Sequence, residues 1–101
     1  MLEIVKNAPS YWEFIRDYIC LEDGVPLGYV GRNAQDYISI AVISKARGKG
    51  VGKYMLQYFR ERMRMQKLRA IVSLDNPASL KLFEACGFIK KYYIFEGDEN
   101  D

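Results

Sequence analysis

Arg47-Gly48-Lys49-Gly50-Val51-Gly52-Lys53 follows an apolar, β-prone run at residues 37–43 and leads into a helix-patterned stretch from Val51 onward. Three glycines at a strand-to-helix turn let a backbone approach a ligand with no side chain in the way. The first turn of the helix then offers N–H groups without intrahelical partners and the positive end of the helix dipole. Arg47, Lys49 and Lys53 add positive charge. The combination is an anion site, most naturally one for phosphate. It lacks the Gly-x-x-x-x-Gly-Lys-Ser/Thr spacing of a Walker A loop and the Gly-x-Gly-x-x-Gly spacing of a dinucleotide turn.

Working outward, residues 51–67 carry Val51, Met55, Phe59 and Met63 at intervals of four, with Leu56 and Tyr58 widening the apolar stripe of one long helix. Upstream, Asp23-Gly24 is a hairpin signal between strands at residues 18–21 and 25–31. Residues 2–6 read as a first strand. Residues 11–17 read as a short helix with Tyr11, Trp12 and Ile15 on its apolar face. The run 37–43 has apolar residues on both faces and reads as a central strand. Downstream, residues 69–74 read as a buried strand. Asp75-Asn76-Pro77 opens a helix over 78–86 that ends at Gly87, and 88–96 reads as a last strand rich in Tyr and Phe. The order β, α, β, β, β, α, β, α, β predicts one domain of α/β (α+β) type, a mixed sheet covered by helices.

The totals narrow the function classes. A chain of 101 residues, half of them apolar, supports one core. It contains no histidine, which removes histidine triads and histidine metal sites. Its two cysteines, Cys20 and Cys86, form neither a Cys-x-x-Cys pair nor a four-thiolate zinc site. No apolar run is long enough to span a membrane, and MLEIVKNAPS does not read as a signal peptide. Free thiols and a cytoplasmic location are the expectation. The net charge of +2 is too mild to argue for nucleic acid. The run RERMRMQKLR at residues 60–69 reads as a solvated helix face.

Arg47, Gly50 and Gly52, followed by Asn76, Ser79, Phe83, Gly87 and Phe88 in the stretch NPASLKLFEACGF, resemble the GNAT superfamily of acyl-CoA N-acyltransferases. The resemblance extends from about Gly24 to Tyr93 and takes in the hairpin DGVPLGYV. It implies a mostly antiparallel sheet containing one splayed parallel strand pair. Acetyl-CoA would be the cosubstrate, and its pantetheine would pair with the backbone of Ile40, Ala41 and Val42. The pyrophosphate would rest on the amides of Gly48, Lys49, Gly50, Val51, Gly52 and Lys53, beside Arg47. The Val42 N–H would polarise the thioester carbonyl. Asn76 would contact the cofactor or order its turn, and Ser79 and Phe83 would face the cofactor or pack in the core. The acceptor would be an amine: a protein lysine, a protein N-terminus or a small molecule. An alternative is a catalytically weak CoA-binding or partner-binding module of the same fold.

Two departures matter. Position 83 is often Tyr in this superfamily, where the hydroxyl can protonate the leaving thiolate; Phe83 has no such proton. A general acid would have to be Tyr92, Tyr93 or water, and a general base Asp36, or failing that Glu22 or Asp23. Superfamily members also usually place two helices between the first two strands, whereas residues 8–17 leave room for about two turns. The acceptor side is therefore expected to be open or completed by a second copy in a homodimer. Tyr11, Trp12 and Phe14 lie near the shortened wall.

Overall fold

The computed structural model describes residues 1–6 and 17–98. Apart from Asp17, the helix expected at residues 11–17 lies outside the described residues. Asp23 and Gly24, with φ of 50° and 82°, close a two-residue turn whose twist suits the strands it joins. Those strands are β2 (Tyr18–Glu22) and β3 (Val25–Arg32), paired antiparallel. Strand β1 (Leu2–Lys6) pairs antiparallel with β2, and β4 (Ile38–Val42) with β3, giving the order β1-β2-β3-β4. Pro26 sits opposite Leu21 where the β2–β3 register shifts, and the bulge leaves Leu27 as the extra residue.

Tyr18 through Leu21 are all buried, so β2, rather than β4, is the strand covered on both faces. Ile19 and Leu21 form a second apolar cluster with Val5 and Tyr29, while Tyr18 and Cys20 join the main core. That core is built on helix α1 (Val51–Arg62), whose Met55, Leu56 and Phe59 are fully buried against Val30 and Leu27. Burial of each contributes about 1.5–3 kcal/mol. The tyrosine rings of Tyr18 and Tyr58 meet edge to face at 5.4 Å.

Helix α1 stops at Arg62, five residues before the expected Lys67. The four-residue repeat has nothing to bury beyond half-buried Met63: Arg64, Met65, Gln66 and Lys67 are all exposed. The chain turns instead, through Gln66 N–H to Met63 O at 2.8 Å, and returns Leu68 to the core. Helicity in a protein of this kind rests on tertiary burial more than on propensity.

Helix α2 (Pro77–Ala85) closes with two bonds of a Schellman turn: Gly87 N–H to Glu84 O and Phe88 N–H to Phe83 O, both at 3.0 Å. The accompanying apolar contact is the edge-to-face pair Phe83–Phe88 at 5.2 Å. Arg60 of α1 adds a positive charge at this C-terminus by donating to Cys86 O, and its guanidinium lies 4.9 Å over the Phe88 ring. Arg60 therefore joins the two helices. The basic run is in part structural, since Arg62 also stacks on Tyr58 and Arg64 pairs with Glu61 at 3.5 Å. Replacing Arg60 by Ala is expected to cost about 1–2 kcal/mol in urea unfolding, because a charged donor and a ring contact go together. Arg64→Ala serves as the near-neutral comparison, being an exposed pair.

Neither of the two downstream runs forms the expected strand. Residues 69–74 make one parallel bridge, Tyr37 to Arg69, supported by Ile38 N–H to Arg69 O at 2.7 Å. Beyond it the run turns Ala70 and Val72 to the core and leaves Ile71 and Leu74 exposed. The expected parallel pair is thus reduced to a single point of contact, and the sheet is antiparallel throughout. Residues 89–98 lack a ladder partner among the described residues and are exposed.

Candidate functional site

The alternation of backbone directions along β4 defines the site. Ile43 N–H donates to Leu27 O at 2.8 Å, on the β3 side, and Ile38 N–H donates to Arg69 O, on the opposite side. Successive residues of a strand turn their N–H and C=O groups to alternate edges, and the β3–β4 register is unbroken from Gly28–Val42 to Arg32–Ile38. Ile40 and Val42 therefore direct their backbone groups to the open edge. The backbone of Ala41 turns to β3, so the expected pairing of pantetheine with Ala41 does not fit this strand, and Ala41 does not line the cleft that borders this edge. Gly28 keeps this edge close: a Cβ there would run into Ala41 O and lie 3.2 Å from Val42 Cα.

The open edge borders a cleft of about 220 Å³. Ile38, Ser39 and Ile40 form one wall, and Ile71, Val72 and Ser73 stand across from them. The cleft exists because β4 and residues 69–74 touch at the Tyr37–Arg69 bridge and then diverge. Asn76, Ser79 and Phe83 of α2 close one end. Four residues singled out by sequence, Ile40, Asn76, Ser79 and Phe83, thus share one cavity.

Asn76 is the N-cap of α2. Its Oδ1 accepts from Ser79 N–H at 3.1 Å, and Pro77 occupies the first helical position. Asn76→Ala should lower stability by about 1 kcal/mol, measured by thermal unfolding, and Asn76→Asp should recover most of it. Phe83 is buried and is at once core and cleft wall.

The glycine loop lies at the C-terminal end of β4. A short 3₁₀ turn, Ser44–Ala46, leads from the strand to Arg47, whose Nε donates to Val42 O at 3.0 Å. This side chain spans the end of the open edge. Gly48 and Gly50 have φ of 78° and 81°, and Gly50 is the N-cap of α1. A Cβ at either would meet nothing within 4 Å, so backbone conformation rather than space calls for glycine. The first intrahelical bond is Tyr54 N–H to Gly50 O at 3.0 Å, which leaves the N–H groups of Val51, Gly52 and Lys53 as the donors of the first turn. Val51 is buried and anchors that turn, while a Cβ on Gly52 would touch Leu82 and Val42 at 3.4 and 3.7 Å. Lys49 and Lys53 are exposed beside it. The arrangement can hold an anion at the loop and an extended, amide-bearing chain along β4.

The sequence-derived acid–base candidates are not gathered in the cleft. Asp36, at φ 66° in a turn organised by Asn33 Oδ1, lines a separate hollow of about 210 Å³ with Gln35, Tyr37, Lys67 and Arg69. Glu22 and Asp23 belong to the β2–β3 turn, where Asp23 lies 3.8 Å from the chain's amino group. Tyr92 and Tyr93 are exposed on the final segment. Burial pushes the Cys20 thiol up, and Glu22 adds to this; burial also pushes Cys86 up, opposed by Lys53 and Arg60. Both thiols are therefore protonated at neutral pH. Among the described residues no cluster of ligands could hold a metal ion, and no helix is long and apolar enough to cross a membrane. Sequence reasoning missed two elements of the site. One is the parity that separates Ile40 and Val42 from Ala41. The other is the far wall, Ile71 to Ser73, whose apolar run signalled a buried strand but not a cleft.

Comparison with known proteins agrees with this fold. The chain is 27% identical over 85 residues to the spermidine N(1)-acetyltransferase of Vibrio cholerae, covering 80% of this chain and 48% of that protein. It is 32% identical over 79 residues to N-alpha-acetyltransferase 30 of Saccharomyces cerevisiae, covering 70% and 41%. It thus spans about half or less of these curated relatives. The solved aminoglycoside N-acetyltransferase AAC(6')-Iy, in complex with CoA, shares the fold with a TM-score of 0.65 at 19% identity, over 88% of this chain and 70% of that one. The model of the acetyltransferase (GNAT) family matches residues 4–88, and the chain belongs to that family.

Proposed function

We propose that this chain is an N-acetyltransferase that moves an acetyl group from acetyl-CoA to an amine. The observation that carries this reading is the continuity of two features. The open edge of β4 leads, through one short 3₁₀ turn, into a loop of left-handed glycines at a helix N-terminus. Pyrophosphate fits the amides of residues 48–53, with Lys49 and Lys53 beside them. The pantetheine amides pair with Ile40 and Val42 as an added strand would. Ser79 and Phe83 flank that arm. The family membership and the CoA in the related solved structure support the same cosubstrate.

In the reaction, a neutral amine nitrogen attacks the thioester carbonyl carbon. The N–C bond forms, the C–S bond breaks, and CoA leaves as its thiolate. The proton lost by nitrogen passes to water. An N–H of the open β4 edge that the pantetheine amides leave free stabilises the negative charge that develops on the carbonyl oxygen. The chain contributes mainly alignment of the thioester, which lowers the barrier without a dedicated acid. The relatives' names give spermidine, an N-alpha position and an aminoglycoside as acetylated groups, which share only an amine nitrogen, so an amine is the acceptor class.

The test follows free thiol released from acetyl-CoA with spermidine, an aminoglycoside, a peptide N-terminal amine and a lysine peptide. The two buried, protonated cysteines keep the protein's own background low. Turnover on at least one amine is the expected result; its absence on all four argues against transfer. Phe83 favours a second reading, a module that binds CoA without turnover, because the ring has no proton for the leaving thiolate. Saturable binding of acetyl-CoA with no thiol release would select that reading.

A further inference from the structure

The fold accounts for only part of the basic run at residues 60–69. Arg60 donates to Cys86 O, Arg62 donates to Tyr58, and Arg64 pairs with Glu61. The last two cations, Lys67 and Arg69, are exposed and make no side-chain hydrogen bond or ion pair among the described residues. Leu68 between them packs on the core, so both side chains lie on the outer side. They line the hollow of about 210 Å³ with Gln35, Asp36 and Tyr37. Two cations and one carboxylate leave the hollow a net positive charge, a balance that admits one further anion.

The hollow and the cleft are neighbours, separated by the Tyr37–Arg69 bridge. Ile38 and Ile40 pack on the core, so Tyr37 and Ser39 face away from α1. Ala70 and Val72 also pack on the core, which leaves Arg69 and Ile71 on that same outer face. The acetyl-CoA arm proposed above starts at the glycine loop, beyond the C-terminal end of β4, and runs along Val42 and Ile40. Its acetyl group therefore ends toward the bridge, and α2 closes the other end of the cleft. From Ile40 to Tyr37 is three residues of strand, roughly 10 Å. We infer that Lys67 and Arg69 select the acceptor: the hollow receives a carboxylate or phosphate carried by the amine, at about that distance from the nitrogen that is acetylated. The inference rests on the acetyl-transfer reading and narrows it to anionic amines. An arginine fork and a lysine point charge suit either oxyanion, and both repel a second ammonium group.

A matched series of six-carbon amines tests this: ω-aminohexanoate, ω-aminohexyl phosphate, hexamethylenediamine and hexylamine. Each is titrated into the whole chain in the presence of CoA, which carries no acetyl group to transfer, and amide NMR is followed. Saturable shifts at residues 35–37, Lys67 and Arg69 are expected with the two anionic amines, about tenfold or more tighter than with the diamine. The tighter of the two identifies the oxyanion as carboxylate or phosphate. Lys67→Glu and Arg69→Glu should each bring that ratio to about one or below, and Arg69→Lys should keep most of it. Calorimetry should find the acetyl-CoA affinity of all three variants within about twofold of the wild type, since the hollow and the glycine loop lie at opposite ends of β4. With acetyl-CoA, thiol release should follow the same order of amines. No saturable shift in the hollow, a diamine that binds as tightly as aminohexanoate, or a ratio unmoved by both charge reversals overturns the inference. Thiol release without preference for the anionic amines overturns it too and leaves acetyl transfer standing. Tight binding of anionic amines in the hollow without thiol release from any amine overturns acetyl transfer instead and leaves the anion site.

Discussion

Gly28→Val is expected to cost about 3 kcal/mol or more in urea unfolding, with the m-value unchanged. Gly28 is buried on β3 opposite Val42. A Cβ there would collide with Ala41 O, lie 3.2 Å from Val42 Cα and 3.0 Å from Met55 Cε. The methionine end can swing aside, but two of the three obstacles are backbone of the neighbouring strand, and relief requires β4 to move. That movement would carry the cleft edge with it, and also the glycine loop, through Arg47 Nε on Val42 O. Loss of acetyl-CoA binding should accompany the loss of stability. A cost under about 1 kcal/mol would mean that β3 and β4 are not this close.

Gly50→Val should lower acetyl-CoA affinity about thirtyfold, or roughly 2 kcal/mol, with a smaller effect on folding. The side chain has room, since nothing lies within 4 Å of a Cβ at Gly50. The cost is conformational: a β-branched residue resists φ of 81°, and the loop relaxes to another backbone state. The first-turn amides of α1 then no longer converge with those of Gly48 and Lys49. Gly50→Asn provides the check, because Asn tolerates the left-handed region. Titration calorimetry should find it within about threefold of the wild type. Equal weakening by Asn and Val would assign the role of Gly50 to side-chain exclusion instead.

Much of this was legible wherever a local signal had a local cause. Asp23-Gly24 predicted the hairpin because the turn type needs two left-handed residues. Asn76-Pro77 and Gly87 predicted the limits of α2 because capping is satisfied within a few residues. The start of α1 followed from the glycine-rich turn and the four-residue apolar repeat that begins at Val51. The misreadings share a different cause, dependence on a distant partner. Residues 69–74 and 88–96 have strand composition, but a strand needs an edge, and after the Tyr37–Arg69 bridge β4 diverges from the first of them. The apolar residues of the run 37–43 reflected a cleft on one side of an edge strand, not a central position in the sheet. The overrun of α1 arose because Met63 continues a repeat that the core no longer needs. Ile40, Asn76, Ser79 and Phe83, to which the resemblance gave cofactor roles, line one cleft. Asp36 does not join them, since a carboxylate near a strand start carries no sign of which hollow it lines.

The central claim is that the β4 edge and the glycine loop together hold acetyl-CoA. Amide NMR during an acetyl-CoA titration tests it most directly. Saturable shifts of Ile40, Val42 and residues 48–53, with little change at Glu22 or Asp23, are the predicted result; no saturable shift, or shifts confined to the hollow around Asp36 and Arg69, would contradict it.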